Sequence, residues 1–375
     1  MKLFQKKEQC CGCGACRDAC PVDAVRMVQD REGFWYPQVA ADVCIQCGRC
    51  QAVCPIGKPA VGEEPRQYFG AKARENAVRF ASSSGGVFPI LAAYVLRRGG
   101  AVFGAGWGGH MEVLHQEAWT LEELDSLKQT KYVQSRMENV YRRIASLLRE
   151  GHWVLFCGTP CQAHALRLFL GGPQPRLLTA ELVCYGAPSP GIWQDYVRLL
   201  ERRHGGPLTG FSFRDKRNRD SGHPCSYQCG GKEFAGSLNA DLYCGMYFSN
   251  CMLRPSCHLC PYCTVNRGGD FTLGDFWGIE KLRPDDGMGN SLVILHTDKA
   301  RAVWAEIREE LDWFPCEKEE LLQPRLLGPT PAARNRKLFM AMRQILPEAA
   351  LFFLFEKERK LAGLLRRVKR KVGME

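Results

Sequence analysis

No stretch of this 375-residue chain is apolar over the roughly 18 residues that a membrane-spanning helix needs. The opening segment, Met1 to Gln9, carries three lysines and no apolar core, so it does not read as a secretory leader. Without export, disulfides are a poor explanation for cysteine, and a reducing cytoplasm is the expected location. Histidine is scarce, at 8 residues, which leaves little room for imidazole metal centres. His164 and His258 read as satisfied or exposed side chains. No DNA-reading motif occurs, so nucleic acid is not an expected partner and a redox or iron sensor is a minor reading. The radical-enzyme spacing CxxxCxxC is absent. With 45% hydrophobic and 24% charged residues, the chain is also not disordered.

What is present in excess is cysteine, 20 residues of it. Cys10, Cys13, Cys16 and Cys20-Pro21 repeat in spacing as Cys44, Cys47, Cys50 and Cys54-Pro55. This is the bacterial two-cluster ferredoxin run, in which the fourth cysteine of each run serves the other cluster. One 4Fe-4S cluster is thus expected on Cys10, Cys13, Cys16 and Cys54, and a second on Cys20, Cys44, Cys47 and Cys50. Three thiolates on one tight loop cap a face of the cube, and Gly12, Gly14 and Gly48 let backbone approach the sulfides. A zinc ribbon needs two CxxC pairs and neither the third cysteine nor the proline. Cys11 is an extra cysteine inside the first loop and is not expected to be a ligand.

Twelve cysteines remain. Cys161 follows Thr159 and Pro160, which suit the cap and first position of a helix, where a thiol ionises more easily. Cys184 ends the next strand, and Cys257, Cys260 and Cys263 form a CxxCxxC run. A third cluster on Cys161, Cys184, Cys257 and Cys260 is the preferred reading, with Cys251 or Cys263 able to replace one of them. A zinc knuckle and ordinary buried thiols are the alternatives. Cys157, Cys225, Cys229, Cys244 and Cys316 show no metal spacing. The formal net charge is +11. Each oxidised four-iron cluster on four thiolates adds roughly −2, so three of them would bring the chain to about +5. Much of the excess sits in Arg366, Arg367, Lys369, Arg370 and Lys371, which read as a solvated helix face.

Along the chain, residues 58–67 read as a linker. Helices are expected over Pro89–Arg98, Leu121–Lys128, Asn139–Glu150, Trp193–Arg203 and Ala300–Leu311. Strands are expected over Ala101–Gly104, Trp153–Cys157, Leu177–Cys184 and Ser291–His296. Their alternation argues for an α/β or α+β body. From Arg334 onward the tail reads as helical. Gly104 to Gly109 fits GxGxxG, but no helix follows, and a glycine-rich turn between strands is preferred over a dinucleotide site. Ser82 to Gly86 precedes a helix and could cradle a phosphate. Lys131 to Ser135 offers a cation, an aromatic ring and hydroxyls. The cationic run Phe213 to Arg217 is either an anion site or a solvated turn.

The segments ASSSGGVFPILA, GGAVFGAGW, KYVQS, VLFCGTPCQAHALR, ELVCYGAPSPGIW, LRPSCHLCPYC and GDFTLGDFWGI occur in order between residues 80 and 279. In these the chain resembles the beta-subunit family of coenzyme F420 hydrogenase/dehydrogenase. The resemblance implies an FAD flavoprotein in which Ser83, Ser84, Gly85, Gly86, Lys131 and Ser135 lie near the flavin. Tyr185 stands where the family's motif would have histidine, and nothing in the chain would bind a nickel–iron centre. The implied fold is a ferredoxin-like module (1–60), a mixed α/β flavoprotein body (66–150 and 151–312) and a helical basic tail (313–375). The implied function is an iron–sulfur flavoprotein oxidoreductase. It passes electrons between 4Fe-4S clusters and FAD and exchanges hydride with a coenzyme F420-like or other two-electron partner. The alternative is a non-catalytic relay subunit of a larger redox complex. Expected partners are a redox protein such as ferredoxin and a small-molecule hydride acceptor or donor. No residue is singled out as catalytic.

Overall fold

A computed structural model describes residues 3–58, 62, 67–217, 225–237 and 241–357. The basic cluster from Arg366 to Lys371 and most of the expected linker lie outside the described residues.

Two matching loops build the N-terminal module. Each turns through a glycine in the left-handed region, Gly14 (φ 77°) and Gly48 (φ 72°), into a four-residue helix, Ala15–Asp18 and Arg49–Ala52. A side chain would resist that backbone conformation. Between the loops, β1 (Val25–Gln29) and β2 (Trp35–Val39) pair as an antiparallel hairpin.

The body is organised by one eight-stranded mixed sheet. Its strands, in chain order, are β3 (Gln67–Ala73), β4 (Ala101–Trp107), β5 (Val113–Ala118), β6 (Val154–Gly158) and β7 (Leu177–Leu182). A separate three-stranded sheet follows, from β8 (Leu208–Ser212), β9 (Cys225–Cys229) and β10 (Lys232–Gly236). The large sheet is completed by β11 (Phe271–Asp275), β12 (Ser291–Leu295) and β13 (Leu311–Pro315). Spatial order is β13-β3-β12-β11-β7-β6-β4-β5. The central strands β4, β6, β7 and β11 run parallel, and antiparallel strands flank them. Strands from both sides of residue 150 therefore interleave in a single sheet.

Parallel central strands are covered on both faces, and their sequences are accordingly apolar almost throughout. Helices Val87–Leu96 and Asp298–Ile307 bury Leu91, Val95, Val303 and Trp304 against Leu155, Leu178, Phe271 and Val293. On the opposite face, helices Val140–Arg149 and Pro160–Phe169 bury Tyr141, Ile144 and Leu166 against Phe103, Phe156 and Leu177. A third, aromatic core joins helix Pro190–His204 to the small sheet and to Phe339, Phe352 and Phe355 of the tail.

The expected helices and strands recur with end shifts of a few residues. Leu121–Lys128 is shorter, an α-turn over Leu121–Leu124 followed by a 3-10 turn. The glycine-rich run is a strand and hairpin: Gly104 and Gly106 lie inside β4, which turns at Gly108 into antiparallel β5. A Cβ on Gly106 would overlap the Gln116 side-chain oxygen, so glycine serves packing there. No helix among the described residues is long and apolar enough to cross a membrane.

Candidate functional site

Within the N-terminal module the thiols of the two loops gather together, Cys50 lying near Cys16 and Cys54 as well as Cys20 and Cys44. Cys16 and Cys54 each lie close enough to Cys10 to feel its charge, while Cys50 does so with Cys20 and Cys44. Burial pushes the thiols of Cys16, Cys50 and Cys54 up. Of the eight, only Cys47 is exposed, so the second loop faces solvent and the first faces the body.

The module is fastened to the body by backbone capture. The buried Asp18 carboxylate accepts the N–H groups of Asn139 (3.3 Å) and Tyr141 (3.1 Å) at the start of helix Val140–Arg149. Tyr141 Oη donates to the Cys13 carbonyl at 2.9 Å, and Arg142 Nη2 to that of Cys20 at 2.6 Å. Gln134 Nε2 donates to the Cys11 carbonyl at 2.8 Å.

A cavity of about 450 Å³ opens beside this seam. It lies at the carboxyl ends of β4, β6, β7 and β11, the edge where open α/β sheets hold ligands. Cys161, Cys184, Cys257, Cys260 and Cys263 all line it, and so does Cys11. Cys161 sits on helix Pro160–Phe169, with Thr159 at the cap and Pro160 at the first position as the sequence requires. Its thiol is nevertheless pushed well up, first by a hydrogen bond with Cys11 and then by burial, which corrects the expectation of easy ionisation at a helix start. The Cys11 thiol also contacts Cys13, so it touches a thiol of each cysteine group. Cys260 is lowered to about 7 by the hydrogen bond it receives from Cys263. Cys251 turns away, donating to Asn335 Oδ1 at 3.1 Å. His164 pairs with Tyr262 Oη at 2.8 Å and His258 with the Thr330 carbonyl at 2.8 Å, both outside the lining.

Ser82, Ser83, Ser84, Gly86, Lys131 and Ser135 line the same cavity. Ser83 Oγ accepts the Thr130 N–H at 2.7 Å and Ser84 Oγ donates to the Asn290 carbonyl at 3.0 Å, which pins the turn. Gly85 does not line the cavity. It lies on the sheet, where a Cβ would overlap the Ala71 carbonyl. Gly86 (φ 90°) caps helix Val87–Leu96. Lys131 Nζ donates to the carbonyls of Ser126 (3.0 Å) and Lys128 (2.6 Å), and burial lowers it to about 7. Ser135 Oγ bonds His115 Nδ1 at 2.8 Å and Gln162 Nε2 at 3.1 Å. In the cationic run, Arg214 pairs with Asp275, Arg217 with Asp215, and Lys216 Nζ donates to the carbonyls of Arg79 and Ser84. Lys216 thus braces the serine turn, while Arg214 lines the cavity and Arg217 stays half exposed.

Residues 151–315 match the family described as the C-terminal part of the beta subunit of coenzyme F420 hydrogenase/dehydrogenase, and residues 9–58 match the 4Fe-4S dicluster domain. The chain carries a beta-subunit domain of the coenzyme F420 hydrogenase/dehydrogenase family. The dicluster domain in front of it makes this an iron–sulfur protein of electron transfer, within an oxidoreductase-related family. A solved structure described as a xenon derivative of the F420-reducing NiFe hydrogenase complex from Methanosarcina barkeri is similar over 79% of this chain and 93% of that one. The identity is 18% and the TM-score 0.47. No curated protein matches the chain.

Several residues of the beta-subunit domain site are silent in the sequence. Cys11 reads as a spare thiol, and Arg267 and His115 carry no motif, yet all three line the cavity. Only the run of adjacent cysteines at Cys10-Cys11 could have flagged the first. Cys225 and Cys244, which lack metal spacing, come together with Sγ atoms 3.0 Å apart beside the Asp241 carboxylate. Asp241 is already employed there, capping helix Leu242–Phe248 and accepting Tyr196 Oη at 2.7 Å.

Proposed function

We propose that the chain is an iron–sulfur flavoprotein oxidoreductase, in which electrons travel from the solvent-facing cysteine loop through the inner loop to a third cluster and FAD. One observation carries the reading. A single cavity is lined by five cysteines, in contact through Cys11 with the inner ferredoxin loop, and by the serine–glycine turn, Lys131 and Ser135.

The residues fit the groups. The cysteine wall is a soft, all-sulfur donor set that suits iron–sulfur ligation. Cys161, Cys184, Cys257 and Cys260 would hold the third cluster, with Cys263 adjacent as the replacement. For the flavin, about 450 Å³ lies within the usual range of small-molecule sites. The start of the ten-residue helix Val87–Leu96, behind Gly86, suits a phosphate. FAD, when bound, supplies the exchange between one-electron carriers and a two-electron partner such as a deazaflavin.

The chain's own part is to orient, exclude water and place charge. Ser83, Ser84, Gly85 and Gly86 form the pinned turn, and Ser135 presents a hydroxyl held between His115 and Gln162. Lys131 Nζ, lowered to about 7, is placed to take or give a proton at the cavity wall near neutral pH. The exposed loop around Cys47 is the side from which a redox partner protein would exchange electrons.

The test is an anaerobic preparation of the whole chain with iron, sulfide and flavin measured per chain. Roughly twelve irons and one FAD support the reading. Roughly eight irons and no flavin reduce the chain to a ferredoxin fusion and overturn it.

A further inference from the structure

Arg254 is 0% exposed, and its guanidinium lies at the seam between the inner ferredoxin loop and the cysteine wall of the cavity. Nε donates to the Cys10 carbonyl at 2.7 Å, and Nη2 to the Trp35 carbonyl at 3.0 Å and the Cys10 sulfur at 3.6 Å. Nη1 donates to Gln134 Oε1 at 3.0 Å. The Tyr36 and Phe34 rings cover it at 4.2 and 5.3 Å. Gly12 packs on its tip, where a Cβ would meet Nη1 at 2.6 Å. Three residues along the chain stands Cys257, on the cavity wall.

Apart from the Cys10 sulfur, the acceptors of this arginine are neutral, and among the described residues no carboxylate pairs with it. The other buried arginines are treated differently. Arg79 pairs with Asp286, and Arg267 lies beside Glu181. Burying a cation with no counter-charge is strongly unfavourable, so the fold is expected to supply an anion here. The ordered hydrogen bonds leave the guanidinium little freedom to seek one elsewhere. The negative charge that can form at its face is thiolate sulfur and whatever those thiolates ligate.

We propose that Arg254 is the fixed counter-charge of the cluster held by Cys10, Cys13, Cys16 and Cys54, and that it raises that cluster's reduction potential relative to the solvent-facing one. The effect is electrostatic. Reduction adds one negative charge to a group that is already an anion, and a desolvated positive charge at hydrogen-bond range favours the more negative form. The solvent-facing group of Cys20, Cys44, Cys47 and Cys50 has Arg142 on the Cys20 carbonyl, but that guanidinium is solvent-exposed and already paired with Asp23. The gradient between the two would favour electrons moving inward to the cavity. Arg254 is a positioning residue, since it acts through the cluster and touches no substrate. The inference rests on the electron-transfer reading above.

The test uses the full-length holoprotein with Arg254→Met and Arg254→Lys. Anaerobic redox titration followed by electron paramagnetic resonance gives the midpoint potential of each four-iron signal, and iron is counted per chain. In Arg254→Met one signal is expected to move to lower potential while the others hold, and Arg254→Lys restores most of the shift. Iron lost from Arg254→Met and kept in Arg254→Lys gives the same support, because lysine keeps the charge without the fork. Unmoved potentials in Arg254→Met at full iron overturn the proposal. So does Arg254→Lys showing the same potential shift, or the same loss of iron, as Arg254→Met, since geometry and not charge is then at work. Wild-type chain without iron would instead sink the electron-transfer reading itself.

Discussion

His115 is sealed between the Ser135 hydroxyl and the Cys157 carbonyl, 3.1 Å from Nε2, and burial lowers it to about 4. As pH falls below the ordinary value near 6.5 the unfolded chain takes up this proton and the folded chain does not. Stability is therefore lost progressively from about pH 6.5 to about pH 4, at roughly 1.4 kcal/mol per pH unit for this one group. Anaerobic denaturant unfolding at pH 6.5 and 5.5 checks it. Wild type is expected to lose about 1 kcal/mol more than His115→Gln over that interval, and equal losses would exclude the assignment. At this scale the sequence was legible where ligation is local. The eight ferredoxin-type cysteines stand out because each run of four is written within one short stretch of chain. It was silent on His115, Arg254 and Cys11, whose roles arise from partners as far as 244 positions away, as with Arg254 and Cys10.

Elements meet tightly where the β1–β2 hairpin turn abuts the start of helix Pro190–His204. A Cβ on Gly33 would lie 2.6 Å from Gly191 Cα and 2.6 Å from Ser189 Oγ, and its φ is +82°. Ser189 serves both sides, accepting the Ile192 N–H at 3.3 Å and donating to the Glu32 carbonyl at 2.6 Å. Gly33→Ala is expected to destabilise by roughly 2–3 kcal/mol, from backbone strain and overpacking together. Gly99→Ala, at φ +65° with open space around it, isolates the backbone part at roughly 1 kcal/mol. Unfolding free energies of the two variants check this, and equal losses would show that the contact at Gly33 relaxes freely. Helices and strands of the body were readable from periodicity because each buries a face against the large sheet. Gly104 to Gly109 was harder to read, since the same glycines suit a turn and a strand packed against Gln116 and Leu127.

For the molecule as a whole, the eight-stranded sheet sets which cysteines meet. Cys161 follows β6, Cys184 follows β7, and both open onto one cavity because the two strands are parallel neighbours. Cys184→Ser is expected to lower iron by about a third, from roughly twelve to roughly eight per chain, with the two ferredoxin-type signals intact. Cys225→Ser, in a thiol pair that does not line the cavity, is expected to leave iron unchanged. Iron analysis with low-temperature spectra of the reduced proteins distinguishes the two. Undiminished iron in Cys184→Ser, or iron lost from Cys225→Ser, would reassign the third site. The ferredoxin module is likewise more than an attached bead. Asp18, Gln134, Tyr141 and Arg142 tie its inner loop to the body, so the inner cluster faces the cavity and the outer one faces solvent.

The sequence by itself determined the chemistry of the amino end, the alternation of strands and helices, and the family's motifs, because each is written within a few consecutive residues. The tertiary structure alone decided that Cys11 bridges two thiol groups, that Lys216 braces a serine turn, and that an acid-free arginine lies against Cys10. Those facts depend on strand order and on side chains brought together across long loops. Local spacing cannot encode such contacts, since they are selected by burial and by the need to satisfy every polar group left inside.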